Sequence, residues 1–200
     1  GGGIRSVASA GDVNGDGFGD LTVAATSGSY IVFGQSTTGT IDLSTIAAST
    51  GGFVINDQAN IYNSIHIVAS AGDVNGDCLN DIVVGDSAFD NPHGRSYVVF
   101  GKSTTSAVDL SDVANGTGGF VINAQADSEG MGTSVASAGD VNGDGLSDLI
   151  VGEPGSDVPF SNGSSGSYYD AGRSYVVFGK STTGAIDLSD VANGTGGLVF

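Results

Sequence analysis

Asp140-Val141-Asn142-Gly143-Asp144-Gly145-Leu146-Ser147-Asp148 decides how this 200-residue chain is read, because it occurs three times. The earlier copies are Asp12-Val13-Asn14-Gly15-Asp16-Gly17-Phe18-Gly19-Asp20 and Asp73-Val74-Asn75-Gly76-Asp77-Cys78-Leu79-Asn80-Asp81. Oxygen-bearing side chains recur at loop positions 1, 3, 5 and 9, with glycine at 4 and, in two copies, at 6. A hard cation such as Ca²⁺ takes six to eight oxygens at about 2.3–2.6 Å, and carboxylates on alternate residues of a tight loop can supply them. The pattern predicts three calcium sites: Asp12, Asn14, Asp16 and Asp20; Asp73, Asn75, Asp77 and Asp81; Asp140, Asn142, Asp144 and Asp148. Phe18, Leu79 and Leu146 at position 7 would each add a backbone carbonyl. The competing reading is three solvated Asx-Gly turns. Three clustered carboxylates repel one another unless a cation sits between them, which weighs against it. An EF-hand would need a bidentate Glu at position 12 and flanking helices. Position 12 is Val23, Val84 or Val151, inside an apolar run that reads as a strand.

The repetition extends well beyond the loops. Val-Ala-Ser-Ala-Gly-Asp-Val-Asn-Gly-Asp begins at Val7, Val68 and Val135, and Phe-Gly followed by Ser-Thr-Thr begins at Phe33, Phe100 and Phe178. Asp-Leu-Ser, followed by Thr-Gly-Gly, begins at Asp42, Asp109 and Asp187. Each unit holds four short apolar runs; in the third they fall near 134–138, 148–151, 174–178 and 197–200. Their length and β-branched content argue strands. The second to fourth runs are continuously apolar, which predicts burial on both faces. The first is built of small residues, suiting an innermost strand. Four-stranded sheets repeated along a chain and covered on both faces predict an all-β protein made of β-propeller blades. The blades are 1–57, 58–124 and 125–200, with calcium loops 12–20, 73–81 and 140–148. The Asp-Leu-Ser stretch predicts one helical turn capped by Asp or Ser.

Composition agrees with many turns and little helix: 35 glycines, no tryptophan and 14% charged residues. The formal charge is −17, and three divalent cations would leave −11. That acidity makes nucleic acid and anionic membrane poor partners, and no apolar run is long enough for membrane insertion. The single cysteine, Cys78, excludes an internal disulfide and fits no zinc pattern. Cys78 occupies loop position 6, where a left-handed backbone costs a non-glycine residue roughly 1–2 kcal/mol. Site 73–81 is therefore expected to be the weakest of the three. No Gly-x-Ser-x-Gly elbow is present, and His66 and His93 have no motif-like partner, so the chain reads as non-enzymatic. Arg95 and Arg173, which open equivalent strands, read as structural.

These residues resemble the FG-GAP repeats of integrin α-subunit propellers and their bacterial relatives. The family pattern runs Phe-Gly, Ser-Val-Ala, the Asp-rich loop, a short apolar strand, then Gly-Ala-Pro. Unit three matches best, with Met131-Gly132, Ser134-Val135-Ala136, the loop, and Gly152-Glu153-Pro154. Unit two has Ser64-Ile65 and Gly85-Asp86-Ser87 at those ends, and unit one Gly3-Ile4 and Ala24-Ala25-Thr26. The resemblance implies a propeller whose calcium loops join the first two strands of each blade. It also implies more than three blades, supplied by a longer chain or by self-association. It further implies an extracellular or cell-surface module for adhesion to a protein or glycan ligand. The variable connection 153–172, with Tyr168, Tyr169 and Asp170, is the candidate contact surface. The alternative is a structural repeat that assembles into a calcium-dependent surface fibre or sheath.

Overall fold

The computed structural model describes residues 3–25, 28–56, 66–87, 89, 93–125, 130–156, 158–159, 167–168 and 171–200. Blade 1 contains β1 (Ile4–Gly11), β2 (Asp20–Ala25), β3 (Gly28–Val32), a helical turn α1 (Leu43–Ala47) and β4 (Gly52–Asn56). Blade 2 contains β5 (His66–Gly72), β6 (Asp81–Asp86), β7 (Arg95–Val99), β8 (Val108–Asp109), α2 (Leu110–Ala114) and β9 (Gly119–Asn123). Blade 3 contains β10 (Ser134–Gly139), β11 (Asp148–Glu153), a small hairpin β12 (Val158–Pro159) and β13 (Ser167–Tyr168), then β14 (Arg173–Val177), β15 (Ile186–Asp187), α3 (Leu188–Ala192) and β16 (Gly197–Val199). The fold is all-β and of β-propeller type, and the three blade sheets do not close on themselves.

Each blade is an antiparallel meander, β1-β2-β3-β4, β5-β6-β7-β9 and β10-β11-β14-β16. In every innermost strand the register shifts just before the loop, between Ser9 and Gly11, Ser70 and Gly72, and Ser137 and Gly139. Such a bulge bends the strand and re-aims the chain. Here it turns the backbone into the Asp-rich loop.

The continuous apolar runs have their explanation in blade 2. All six residues of β6 are buried. Ile82 and Val84 pack toward blade 1 with Ile31, Phe53 and Ile55, whereas Val83 packs toward blade 3 with Leu149 and Val151. Alternate side chains of one strand thus enter two different cores. The helical turns seal these cores from outside. Leu110 and Val113 of α2 join the first, and Leu188 and Val191 of α3 join the second.

One topological feature was not legible in the run pattern. β8 belongs to the second repeat but pairs in parallel with β4 of blade 1, Ile55 opposite Val108. Likewise β15 pairs in parallel with β9, Ile122 opposite Ile186. Two blades therefore carry a fifth strand donated by the next repeat. The same donation decides the helix caps. Asp42 accepts from Ser44 N at 2.9 Å, an ordinary N-cap. Asp109 and Asp187 make no such bond. Their carboxylates instead accept from Asn56 Nδ2 at 2.8 Å and Asn123 Nδ2 at 2.7 Å on the preceding blade.

Candidate metal centre

The three Asp-rich loops have one hydrogen-bond plan. In the first, Asp12 Oδ1 accepts from Gly15 N at 2.8 Å and Asp16 N at 3.1 Å, while Oδ2 accepts from Gly17 N at 2.9 Å. Asn14 Oδ1 accepts from Asp16 N at 2.9 Å, and Asn14 Nδ2 donates to Asp16 Oδ2 at 2.9 Å. Asp16 Oδ1 accepts from Phe18 N at 2.8 Å. Asp73, Asn75 and Asp77 repeat these bonds, as do Asp140, Asn142 and Asp144. Positions 1, 3 and 5 are thus brought together by the loop's own amides. Cys78 reaches this geometry at φ 69°, against 87° and 89° for Gly17 and Gly145.

Position 9 is built differently. Asp20 is buried, and it accepts from Val13 N at 2.8 Å through Oδ2 and from Gly34 N at 2.7 Å through Oδ1. Asp81 holds Val74 N and Gly101 N, and Asp148 holds Val141 N and Gly179 N, all at 2.8–2.9 Å. This carboxylate ties the loop to the Phe-Gly phrase that ends the third strand. The glycine of that phrase is needed for close approach. A Cβ on Gly34, Gly101 or Gly179 would lie 2.5, 2.7 or 2.6 Å from the carbonyl oxygen of Gly19, Asn80 or Ser147. In the sequence the Phe-Gly phrase and the loop read as separate repeats. Their joint recurrence was the available signal that they touch.

Burial pushes the Asp81 carboxyl up to about 7, against the opposing pull of the Gly101 and Val74 amides, with Asp77 and Asp73 adding repulsion. Asp20 is raised for the same reason, desolvation first. Burial thus favours the neutral form of these two carboxyls; each loop carries three Asp side chains, and no lysine or arginine lies within loops 12–20, 73–81 or 140–148.

The donor chemistry suits a hard cation: each loop offers two carboxylates and an amide at positions 1, 3 and 5, and Asp12 Oδ2 and both Asp16 oxygens accept one N–H each and keep a lone pair, whereas Asp12 Oδ1 accepts two. Convergence is incomplete. Among the described residues no three Asp, Glu, His or Cys side chains form an ion-holding group. Position 9 is turned onto the backbone, and the Asn14 amide donates Nδ2 to the Asp16 carboxylate while its Oδ1 is taken by the Asp16 main-chain N–H.

Successive loops are joined directly. Asn80 N donates to Asp12 O at 2.9 Å, and Ser147 N donates to Asp73 O at 2.8 Å. Asn80 Oδ1 returns a bond from Asp12 N at 3.1 Å. Leu79 packs over Gly15 and Leu146 over Gly76, where a Cβ would come within 2.9 and 3.0 Å of a leucine Cδ2.

The other residues singled out in the sequence lie apart from the loops. Arg95 sits over the Phe89 ring at 4.0 Å. Arg173 donates to Gln125 Oε1 at 2.5 Å, and the Tyr175 hydroxyl lies 3.0 Å from both Gln125 Oε1 and Glu153 Oε2. His66 falls in β5, and the His93 carbonyl accepts from Met131 N at 3.0 Å. Of the connection 153–172, Tyr169 and Asp170 lie outside the described residues, and Tyr168 belongs to β13.

An all-β array of stacked blades, each with an Asp-rich loop between its first two strands, defines the class: blades of a repeat-built propeller. Within it, residues 5–43 and 131–177 match the FG-GAP repeat family. The chain is also similar to "Integrin alpha pat-2" of Caenorhabditis briggsae, 33% identical over 94 residues. That match covers 44% of this chain and only 7% of the relative. These two stretches are FG-GAP-type repeats similar to those of an integrin α-subunit, and the chain spans a small fraction of the length of the relative it matches.

Proposed function

We propose that the chain is a calcium-stabilised, non-enzymatic extracellular or cell-surface module for adhesion or ligand binding. The observation that carries this reading is the threefold loop plan, with the same oxygen donors in the same hydrogen-bonded arrangement in every blade. One Ca²⁺ would be held by Asp12, Asn14, Asp16, Asp20 and the Phe18 carbonyl, and one by each equivalent set in the other loops. A bound ion offsets the repulsion among carboxylates and fixes the turn that joins the two inner strands. Extracellular calcium modules bind at about 10⁻⁴–10⁻³ M. At free calcium one hundred times Kd each site would stabilise the fold by about 2.7 kcal/mol. The same range leaves such sites empty where calcium is sub-micromolar, which fits an extracellular setting. The likeness to an integrin α-subunit supports a protein or glycan ligand. Among the described residues no helix is long and apolar enough to cross a membrane.

Thermal melting with millimolar calcium and with chelator tests this reading. The melting temperature should rise by several degrees with calcium and not with magnesium. Equal melting temperatures in calcium and chelator would refute the structural role. The exposed apolar side chains Ile150, Leu198 and Phe200 on blade 3 favour a second reading, assembly into a calcium-dependent surface fibre. Large light-scattering particles that form only with calcium would support it over the first.

A further inference from the structure

Three asparagines open triplets of the form Asn-Gly-Ser/Thr: Asn115-Gly116-Thr117, Asn162-Gly163-Ser164 and Asn193-Gly194-Thr195. Asn-x-Ser/Thr, with x other than proline, is the acceptor pattern for N-linked glycans. Asn162 lies outside the described residues. The other two occupy the same place in successive blades.

Asn115 is the C-cap of α2, at φ −88° and ψ 7°, and Asn193 is the C-cap of α3, at φ −87° and ψ 7°. The main-chain N–H groups of each triplet turn back into the helix. Asn115 N donates to Ser111 O at 3.2 Å, Gly116 N to Val113 O at 2.9 Å and Thr117 N to Asp112 O at 2.9 Å. Asn193, Gly194 and Thr195 repeat these bonds onto Ser189, Val191 and Asp190. The middle residue stands at φ 81° or 88°, a left-handed backbone that glycine adopts freely. The inner side of each turn is fixed by buried side chains, Leu110 and Val113 or Leu188 and Val191. Its outer side is open, since the asparagine and the threonine of both triplets are exposed. The other described asparagines have their side chains engaged. Asn14, Asn75 and Asn142 bond within the Asp-rich loops, Asn80 holds Asp12 N, and Asn56 and Asn123 join neighbouring blades. A bulky group on Asn115 or Asn193 would displace none of these contacts.

We propose that Asn115 and Asn193 are acceptor sites for N-linked glycans, one on blade 2 and one on blade 3. The donor is a glycan carried on a polyprenyl diphosphate. Asn Nδ2 forms a bond to the anomeric carbon of the first sugar while the bond from that carbon to the diphosphate oxygen breaks. The diphosphate departs with the bonding pair, and the amide nitrogen gives up one proton to it. Blade 1 carries Ala48-Ser49-Thr50 at the same turn, all three exposed, and lacks the amide. The proposal rests on the extracellular part of the function proposed above and on none of its calcium part.

Peptide mass spectrometry of the full chain tests it. The chain is expressed through the secretory route of eukaryotic cells held at the high-mannose stage, and its glycans are trimmed with endoglycosidase H to a single N-acetylglucosamine. Deamidation of an Asn-Gly pair cannot mimic that remnant. Most secreted molecules should carry it on both Asn115 and Asn193 and keep the circular-dichroism spectrum of the unglycosylated folded chain. Thr117→Ala should abolish the remnant on Asn115 and leave that on Asn193, and Thr195→Ala should do the reverse. Ala48→Asn, which completes the triplet in blade 1, should add a remnant there. Bare Asn115 and Asn193 in both the secreted and the cell-retained chain would overturn the proposal, as would a remnant that survives loss of its threonine or occurs only on unfolded chain. A chain that stays bare yet melts higher in calcium than in chelator would sink this inference alone and leave the calcium reading standing.

Discussion

At the scale of single residues, the nine loop aspartates fall into two kinds. Asp77 is exposed and bonds within its own loop, whereas Asp81 is fully buried and holds two amides from different elements. Removing a buried acceptor leaves its donors unsatisfied, at about 1–3 kcal/mol each. Asp81→Ala should therefore destabilise the protein by about 2 kcal/mol or more in urea denaturation even with chelator present. Asp77→Ala should change stability by under about 0.5 kcal/mol in chelator, as surface substitutions do, and should show its loss only when calcium is added. Identical behaviour of the two variants would remove the distinction. Spacing alone could not reveal it: a run of Asp residues shows where oxygens occur along the chain, not which way their lone pairs point. The exception at position 6 was legible, because chirality restricts Cys78 whatever surrounds it. With its φ of 69° it holds a backbone that glycine adopts freely. Cys78→Gly should raise stability by about 1 kcal/mol, and should tighten calcium binding at 73–81 in a calorimetric titration.

At the scale of elements, strands and helical turns followed from apolar runs and caps, but the exchange of strands between blades did not. A two-residue strand such as β8 leaves no periodic signal, and its partner β4 lies more than fifty residues earlier in the chain. The side chains that secure it were visible only as isolated polar residues. Asn56 and Asp109 meet through a 2.8 Å bond next to the parallel pairing of Ile55 with Val108. Asn56→Ala and Asp109→Ala should each destabilise the protein, and the double variant should fall short of their sum by about 0.5–1.5 kcal/mol. Additive effects would show that the pair contributes nothing to blade cohesion. Asp42→Ala tests a different function, because its carboxylate caps its own helix and not a neighbouring blade.

At the scale of the whole molecule, the repeats and their order were plain from the sequence, and the FG-GAP likeness named the architecture. What remained hidden was that the Asp-rich loops form one continuous ladder, since this depends on how far each blade is rotated against the next. The ladder makes the three candidate ion sites neighbours. Ordering one loop orders the carbonyl that the next loop's amide seeks, so binding energies should be shared. Asp16→Ala should weaken the apparent calcium affinity of the second loop by about fivefold, the lower range of measured couplings between sites. Calorimetry that finds the remaining two sites unchanged would exclude such coupling.

The bonds from Asn80 N to Asp12 O and from Ser147 N to Asp73 O are made by main chain alone. Any amino acid except proline can supply that amide. The ladder bond itself accordingly leaves the side chain of position 8 open to change, and it reads Gly19, Asn80 and Ser147 in the three copies, with Asn80 adding a side-chain bond to Asp12 N. A gene segment encoding one repeat can be copied whole and still register with its neighbours, before any compensating substitution arises.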